Sequence, residues 1–81
     1  MAKKTVAEDR SNRRNDALEL LTSARDILGD LADEVREAFD GMPENLQGSE
    51  RGERLSEAAD TLESARDAVE CEMDSIEALE F

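Results

Sequence analysis

Residues 17–42 read ALELLTSARDILGDLADEVREAFDGM, and their apolar residues recur at alternating intervals of four and three. Two series run through this stretch, one at heptad position a and one at position d: Leu21, Leu28, Val35 and Met42 at a, and Ala17, Ala24, Leu31 and Ala38 at d. This alternation places both series along one side of an α-helix. It predicts a long amphipathic helix over residues 11–40.

The same pattern returns after residue 50 and predicts a second helix over residues 50–79. Its a and d positions are occupied by Leu55, Leu62, Val69 and Ile76 at a, and by Ala58, Ala65 and Leu79 at d. Glu72 takes the remaining d position. The tetrapeptide Ser-Ala-Arg-Asp occurs in both helices, at 23–26 and 64–67. Either duplication of one helix or shared composition accounts for this repeat.

The connector between the helices, residues 41–49, reads GMPENLQGS. Gly41 suits the end of a helix, and Pro43 can open a single turn but cannot continue the preceding helix. Ser49 is a favoured N-cap for the second helix. Near the start of the chain, Thr5 and Glu8 match a capping box, which would allow the first helix to begin at residue 6. The sequence therefore predicts a basic, partly disordered arm at residues 1–10, followed by a helical hairpin at residues 11–81.

The predicted fold is all-α: two long antiparallel helices with coiled-coil heptads, forming a helical hairpin. The apolar surface is wider than the single stripe that a hairpin covers, because further apolar residues flank the a and d series. These flanking residues are the predicted oligomer interface: Leu20, Ile27, Ala32, Phe39 and Met73. Two hairpins packed face to face would make a four-helix bundle homodimer. The alternative is a monomer with one apolar flank.

Composition excludes most catalytic chemistry. The 81 residues contain no His, Trp or Tyr and one cysteine, Cys71. Imidazole bases and ligands are therefore absent, and Cys71 lies between two glutamates, whose negative charge disfavours a reactive thiolate. We expect a non-enzymatic protein without cofactor or metal. The single cysteine and the absence of a long apolar run favour a cytoplasmic protein with no membrane segment.

The formal net charge is −12, and it is unevenly distributed. Residues 1–14 carry +3 and the remainder −15. Acidic residues recur four apart along both helices, which costs helix stability. The candidate partner-binding carboxylates are Asp30, Asp33, Glu37, Glu57 and Glu63. Either they form a solvated surface that keeps the chain soluble, or they mimic the phosphates of a nucleic acid toward a basic protein.

Three smaller features each have two interpretations. Arg25 and Arg66, at equivalent e positions, either pair with acids such as Glu70 and Glu72 or form a small anion site for a nucleotide. Glu72 either pairs with an arginine such as Arg25 or Arg14, or marks where the helix contact opens to solvent. Direct nucleic-acid binding is not expected outside the arm, because the negative charge of the remaining chain repels phosphates. Within the arm, the basic residues contact either phosphate or carboxylates of the protein itself or of a partner chain. These residues are Lys3, Lys4, Arg10, Arg13 and Arg14.

The connector and the start of the second helix, MPENLQGSERGE at 42–53, resemble a family of small acidic helical-hairpin proteins from bacteriophages and prophages. The resemblance covers about residues 30–70 and includes the apolar positions Leu55, Ala58, Leu62 and Ala65 of the second helix. It implies a phage-type accessory protein in the bacterial host cytoplasm.

Together these observations predict a protein that binds and inhibits or modulates another protein. The most specific hypothesis is a DNA mimic that inhibits a host defence nuclease or a CRISPR-type complex. The alternatives are an assembly adaptor that dimerises and presents the basic arm, and a nucleotide sponge using Arg25 and Arg66.

Overall fold

The computed structural model describes residues 5–81, and over that range its regular structure is entirely helical. Helix α1 spans Val6–Asp40, α2 spans Glu44–Gln47 and α3 spans Glu50–Glu77. Helices α1 and α3 lie antiparallel, since Arg25 pairs with Glu70 and Arg36 with Asp60. The molecule measures 68 × 20 × 14 Å. The predicted helical hairpin is confirmed.

Helix α1 begins five residues earlier than the predicted boundary at residue 11. The Thr5 side chain accepts a hydrogen bond from the backbone N–H of Glu8 at 3.0 Å, which satisfies one of the free donors at the helix start. Residues 6–10 are therefore helical, and the predicted arm does not exist over this range. Lys3 and Lys4 lie outside the described residues.

The connector is a folded element that fixes both long helices. Pro43 precedes the single turn α2, as its lack of a backbone N–H allows. The side-chain amide of Gln47 donates at 3.3 Å to the carbonyls of Phe39 and Met42, at the end of α1. The Ser49 hydroxyl accepts from the N–H of Gly52 at 3.3 Å and so caps α3. Helix α3 then ends at Glu77, two residues before its predicted end.

The contact between α1 and α3 uses different heptad positions from those predicted. All four d residues of α1, from Ala17 to Ala38, are exposed. The side that meets α3 is formed by positions a and e, so that Leu18 and Phe39 at e are half-buried and Ala32 is fully buried. The assignment of an a and d contact was wrong, because four adjacent columns are apolar and one partner helix covers only two of them.

The hairpin buries very little by itself. Among the described residues, Ala32 and Ala59 are the only apolar side chains that are fully buried, with one on each long helix. Several large apolar side chains are exposed, including Leu20, Ile27 and Leu31. A chain of this size normally needs a larger core or an additional source of stability. The structure thus leaves a substantial part of its apolar surface uncovered.

None of the described helices is long and apolar enough to cross a membrane.

Candidate functional site

The two sides of the hairpin differ in chemistry. Arg36, at position b of α1, bonds to Glu63, at position b of α3, so the b positions of both helices border the same side of the contact. On a helix, f and c continue from b, whereas d and g lie on the opposite side of a and e. The hairpin therefore has one face formed by b, c and f and another formed by d and g.

We call the b, c and f side the acidic face. In α1 and α3 it carries most of the carboxylates: Asp16, Glu19, Asp26, Asp30, Asp33, Glu37 and Asp40 on α1, and Glu50, Glu53, Glu57, Asp60, Glu63, Asp67, Glu70, Asp74 and Glu77 on α3. Four of the five predicted binding carboxylates are exposed there: Asp30, Asp33, Glu37 and Glu57. The face as a whole can attract and hold a basic surface.

Glu63 departs from that prediction. It is half-buried and lies 3.4 Å from the Arg36 guanidinium, which also contacts Asp60 at 2.7 Å. The hydrogen bond that Arg36 donates to Asp60 raises the pKa of Arg36, burial opposes the increase, and the hydrogen bond to Glu63 adds to it. Glu63 therefore joins the two helices through Arg36 and is less available to a partner than the exposed carboxylates.

Arg25 and Arg66 do lie together, in an open groove of about 610 Å³ on the acidic face. Asp26, Asp30, Asp33 and Glu70 line the same groove, as does Gly29. Two guanidinium groups thus face four carboxylates, which makes the groove net negative. A nucleotide would fit by volume, but its phosphates would meet more negative than positive charge.

Each of these arginines is already paired. Arg25 lies 3.2 Å from Asp26 and 3.8 Å from Glu70, and Arg66 lies 3.0 Å from Asp67. The hydrogen bond that Arg66 donates to Asp67 is the largest cause that raises the pKa of Arg66. The observed geometry matches the ion-pair interpretation for Glu70. Glu72 is exposed and forms no ion pair within residues 5–81, so its pairing with Arg25 or Arg14 was wrong.

We call the d and g side the apolar face. It consists mainly of apolar and small residues, all exposed except the half-buried Ala65: Ala17, Leu20, Ala24, Ile27, Leu31 and Ala38 on α1, and Ala58, Thr61, Ala65, Ala68 and Ser75 on α3. Leu20 is 73% and Ile27 65% exposed, values that are high for large aliphatic side chains. These two predicted interface residues are therefore free to meet another chain.

The other three predicted interface residues belong to the contact within the hairpin. Ala32 is 0% exposed and cannot touch a second chain, so its assignment was wrong. Phe39 and Met73, both at e, are half-buried along the line between α1 and α3. The hairpin, which covers columns a and e, shields part of each side chain, and their role in an oligomer interface stays a prediction. The uncovered columns are d and g.

The basic residues at the start of α1 are partly engaged by the protein itself. Arg14 donates to the backbone carbonyl of Leu79 at 2.6 Å, and its guanidinium lies 5.8 Å from the centre of the Phe81 ring. Arg13 lies 3.8 Å from Asp9. Arg14 thus ties the C-terminal residues to α1, a role that the sequence pattern did not indicate.

Residues 5–81 contain no cluster of His, Cys, Asp and Glu side chains with the geometry of a metal site. Cys71 is exposed and free.

Comparisons with protein-family models, with curated proteins and with solved structures find no match to this chain.

Proposed function

We propose that the chain is a non-catalytic binding protein that self-associates through its apolar face and presents its acidic face to a basic, nucleic-acid-binding partner. The observation that carries the proposal is the separation of the two chemistries. Apart from Glu34 and Glu72, the acids from Asp16 to Glu77 in the long helices lie outside the d and g columns. One surface is thereby suited to association and the other to charge recognition.

The acidic face has a charge spacing suited to imitating a nucleic-acid strand. Along α1, Asp26, Asp30, Asp33, Glu37 and Asp40 follow one another at intervals of three or four residues. At 1.5 Å per residue these carboxylates lie about 5 Å apart along the axis. A DNA strand carries one phosphate per roughly 3.4 Å of its axis, and α3 supplies a second acidic row. The face therefore approaches the charge density of a duplex.

The acids are also largely left free for a partner. The cross-helix guanidinium contacts involve Asp60, Glu63 and Glu70, which belong to α3. Asp30, Asp33 and Glu37 repel one another instead, at a cost of a few tenths of a kcal/mol per pair four apart. A surface that served solubility alone would gain from more mixed charge.

Self-association supports this use of the surface. If a second hairpin covers the apolar face, the result is a four-helix bundle with an acidic face on each outer side. The connector resemblance to phage and prophage proteins agrees with an inhibitor or modulator of a host defence nuclease or CRISPR-type complex. Gln47 and Ser49 in the connector and Gly52 in the first turn of α3 have structural roles. The resemblance therefore supports the hairpin architecture more directly than the identity of the protein that is inhibited.

The other two functions receive less support. An adaptor that presents a mobile arm receives less support because residues 6–10, half of the predicted arm, are part of helix α1. A nucleotide sponge would have to displace Asp26, Asp67 and Glu70 from Arg25 and Arg66.

Competition with duplex DNA tests the acidic face. Purified nucleases and CRISPR-type complexes are loaded with labelled duplex, and the chain is titrated in at low and high salt. We expect displacement that weakens as salt rises, because screening acts on both steering and contact. The variant Asp30→Asn/Asp33→Asn/Glu37→Gln should displace the duplex much less well. Glu63 is left unchanged because its loss would also disturb Arg36.

A charge-matched control separates a specific face from net charge. Glu44→Gln/Glu72→Gln/Glu80→Gln removes the same number of carboxylates from outside the acidic face, so both variants change from −12 to −9. The control should displace duplex as the wild type does. Equal loss in both variants would mean that net charge alone acts, and no displacement by the wild type would overturn the DNA-mimic proposal.

Sedimentation tests the association. We expect a species of about 18 kDa, twice the chain mass of 9.0 kDa. Ile27→Asp should shift the equilibrium toward the monomer, because it places a charge in the centre of the apolar face. Ser64→Asp, at an exposed position on the opposite side, is the control and should leave the dimer intact. A wild type that stays at 9.0 kDa at high concentration would refute self-association.

A further inference from the structure

The apolar face carries a directional charge pattern along α1. Toward its N-terminal end stand Arg10 and Arg13, at d and g, and toward its C-terminal end stands Glu34, at g, one turn before Ala38. Between them lie only apolar residues in the same two columns: Ala17, Leu20, Ala24, Ile27 and Leu31. All of these side chains are exposed. A partner that covers this stripe must therefore offer an apolar centre, an acid at one end and a base at the other.

We propose that the occupant of this stripe is the same stripe of a second copy, with the two α1 helices antiparallel and the two connectors at opposite ends of the dimer. This inference rests on the self-association proposed above and specifies its geometry. An isologous contact requires a surface that complements itself after a two-fold rotation. Rotation reverses the direction of α1, so that Arg10 and Arg13 of each copy meet Glu34 of the other.

The charge pattern and the apolar pattern select the same register. The midpoint between Arg13 and Glu34 falls between residues 23 and 24, and the midpoint of the apolar stripe is Ala24. A two-fold axis near Ala24 therefore satisfies both requirements at once. It also brings Leu20 of one copy to the level of Ile27 of its partner. These are the two most exposed large aliphatic side chains in the long helices.

The small residue at the axis permits a close approach. Ala24 lacks the bulk that would separate two helices, while Leu20 and Ile27 on either side supply apolar area. The apolar columns of α3 are less suited to the central contact. They contain the polar residues Arg51, Arg54, Thr61, Glu72 and Ser75. The pairing of Arg25 with Glu70 places Glu72 near the level of the axis. Helix α3 thus lies at the rim of the contact and α1 at its centre.

The competing arrangement has both connectors at the same end, with α1 of one copy over α3 of the other. It brings the Arg10 and Arg13 pairs of the two copies to the same end of the dimer, where no acid of the apolar face opposes them. At the other end, Glu34 meets Thr61, since Glu63 pairs with Arg36 at that level. The basic residues of the same columns in α3, Arg51 and Arg54, lie about two helical turns or more closer to the connector and do not reach Glu34. Like charges then repel and no pair is gained, so the charge pattern disfavours this arrangement.

A charge-reversal cycle tests the pairing of stripe ends. Each of the single variants, Arg13→Glu and Glu34→Arg, should lower the dimer affinity measured by sedimentation several-fold. Because the dimer is two-fold symmetric, each substitution creates two pairs of like charges across the contact. The double variant Arg13→Glu/Glu34→Arg should recover most of the affinity. Glu57→Arg, an exposed substitution on the acidic face with the same charge change as Glu34→Arg, is the control and should change the affinity little. Single variants that dimerise as the wild type does would overturn the proposed register.

Distances between spin labels decide the orientation independently of stability. Labels are attached to Asn12→Cys and, separately, to Ser23→Cys, both on exposed positions of α1 and in a Cys71→Ser background. With the axis near residue 24, Ser23 labels lie close together, and Asn12 labels lie about 36 Å apart along the helix at 1.5 Å per residue. The same-end arrangement would bring the Asn12 labels within roughly two helix diameters, about 20 Å.

The outcomes distinguish this inference from the proposal beneath it. A dimer with distant Asn12 labels and a restored double variant supports the antiparallel α1 contact. A dimer with close Asn12 labels overturns the contact but leaves a four-helix bundle. Absence of any dimer overturns both.

Discussion

Gly52 shows how one residue without a side chain holds the connector against α3. It is buried in the first turn of the helix, and its N–H is capped by Ser49. A Cβ at this position would overlap the carbonyl of Gln47 and lie 2.7 Å from the carbonyl oxygen of Leu46. The constraint is steric and not conformational, because no described glycine has a positive φ. The close approach positions α2, and with it the end of α1.

Gly52→Ala should therefore destabilise the fold by about 2 kcal/mol, the usual cost of forcing atoms into a closely packed site. Gly48→Ala is the matched control in the same connector. Nothing lies within 4 Å of a Cβ there, and its φ of −84° suits alanine. The control should be neutral or slightly stabilising. Urea denaturation at one fixed protein concentration measures both, and equal stability of the two variants would contradict the packing argument.

At the scale of the helices, Arg36 links α1 to α3. Its guanidinium contacts carboxylates of two successive turns of α3, Asp60 at 2.7 Å and Glu63 at 3.4 Å. Asp40, four residues later in α1, is not the partner of Arg36. A cross-helix pair forms because Arg36 at b borders the contact line and its side chain reaches the neighbouring helix. By comparison, Arg54 pairs with Glu50 within α3.

Arg36→Gln should lower the unfolding free energy more than Arg54→Gln does. The first substitution removes a contact between helices and leaves two acids facing each other, whereas the second removes only an exposed pair in one turn. The comparison is made by thermal denaturation at low salt, and the difference should shrink as salt is added. A larger effect at Arg54 would show that the cross-helix contact adds nothing to stability.

For the whole molecule, charge balance predicts the response to pH. The raised pKa values of Arg36 and Arg66 mean that the stability from their charged forms is complete at neutral pH and is lost only in strongly alkaline solution. Below neutrality the carboxylates decide the outcome. Most of those on the acidic face repel one another, so partial protonation relieves helix strain.

Acidification from pH 7 to pH 5 should therefore leave the melting temperature unchanged or raise it slightly. Circular dichroism melts at both pH values measure this, and a parallel series at high salt should show a smaller change because the repulsion is already screened. A clear drop at pH 5 would mean that pairs such as Arg25 with Glu70 stabilise the fold more than the repulsion destabilises it.

The sequence by itself determined the elements. The heptad series, the Thr5 cap with Glu8, Pro43 and Ser49 are local signals, since each acts within a turn or two of the chain. They predicted two long helices, a single turn between them and antiparallel packing. The capping box of Thr5 and Glu8 also indicated the observed start of α1, whereas the predicted helix over residues 11–40 begins five residues later. Carboxylate exposure followed from the same periodicity for four of the five candidates.

Only the tertiary structure decided which apolar columns the hairpin covers. Periodicity shows that Ala32, Leu31 and Ile27 belong to one broad apolar surface, but four adjacent columns admit several rotations of one helix against the other. The rotation depends on contacts between distant parts of the chain: Gln47 on the end of α1, Gly52 against the connector, and Arg36 on Asp60. These contacts cover columns a and e, and they leave d and g exposed because two helices can shield only one line of contact.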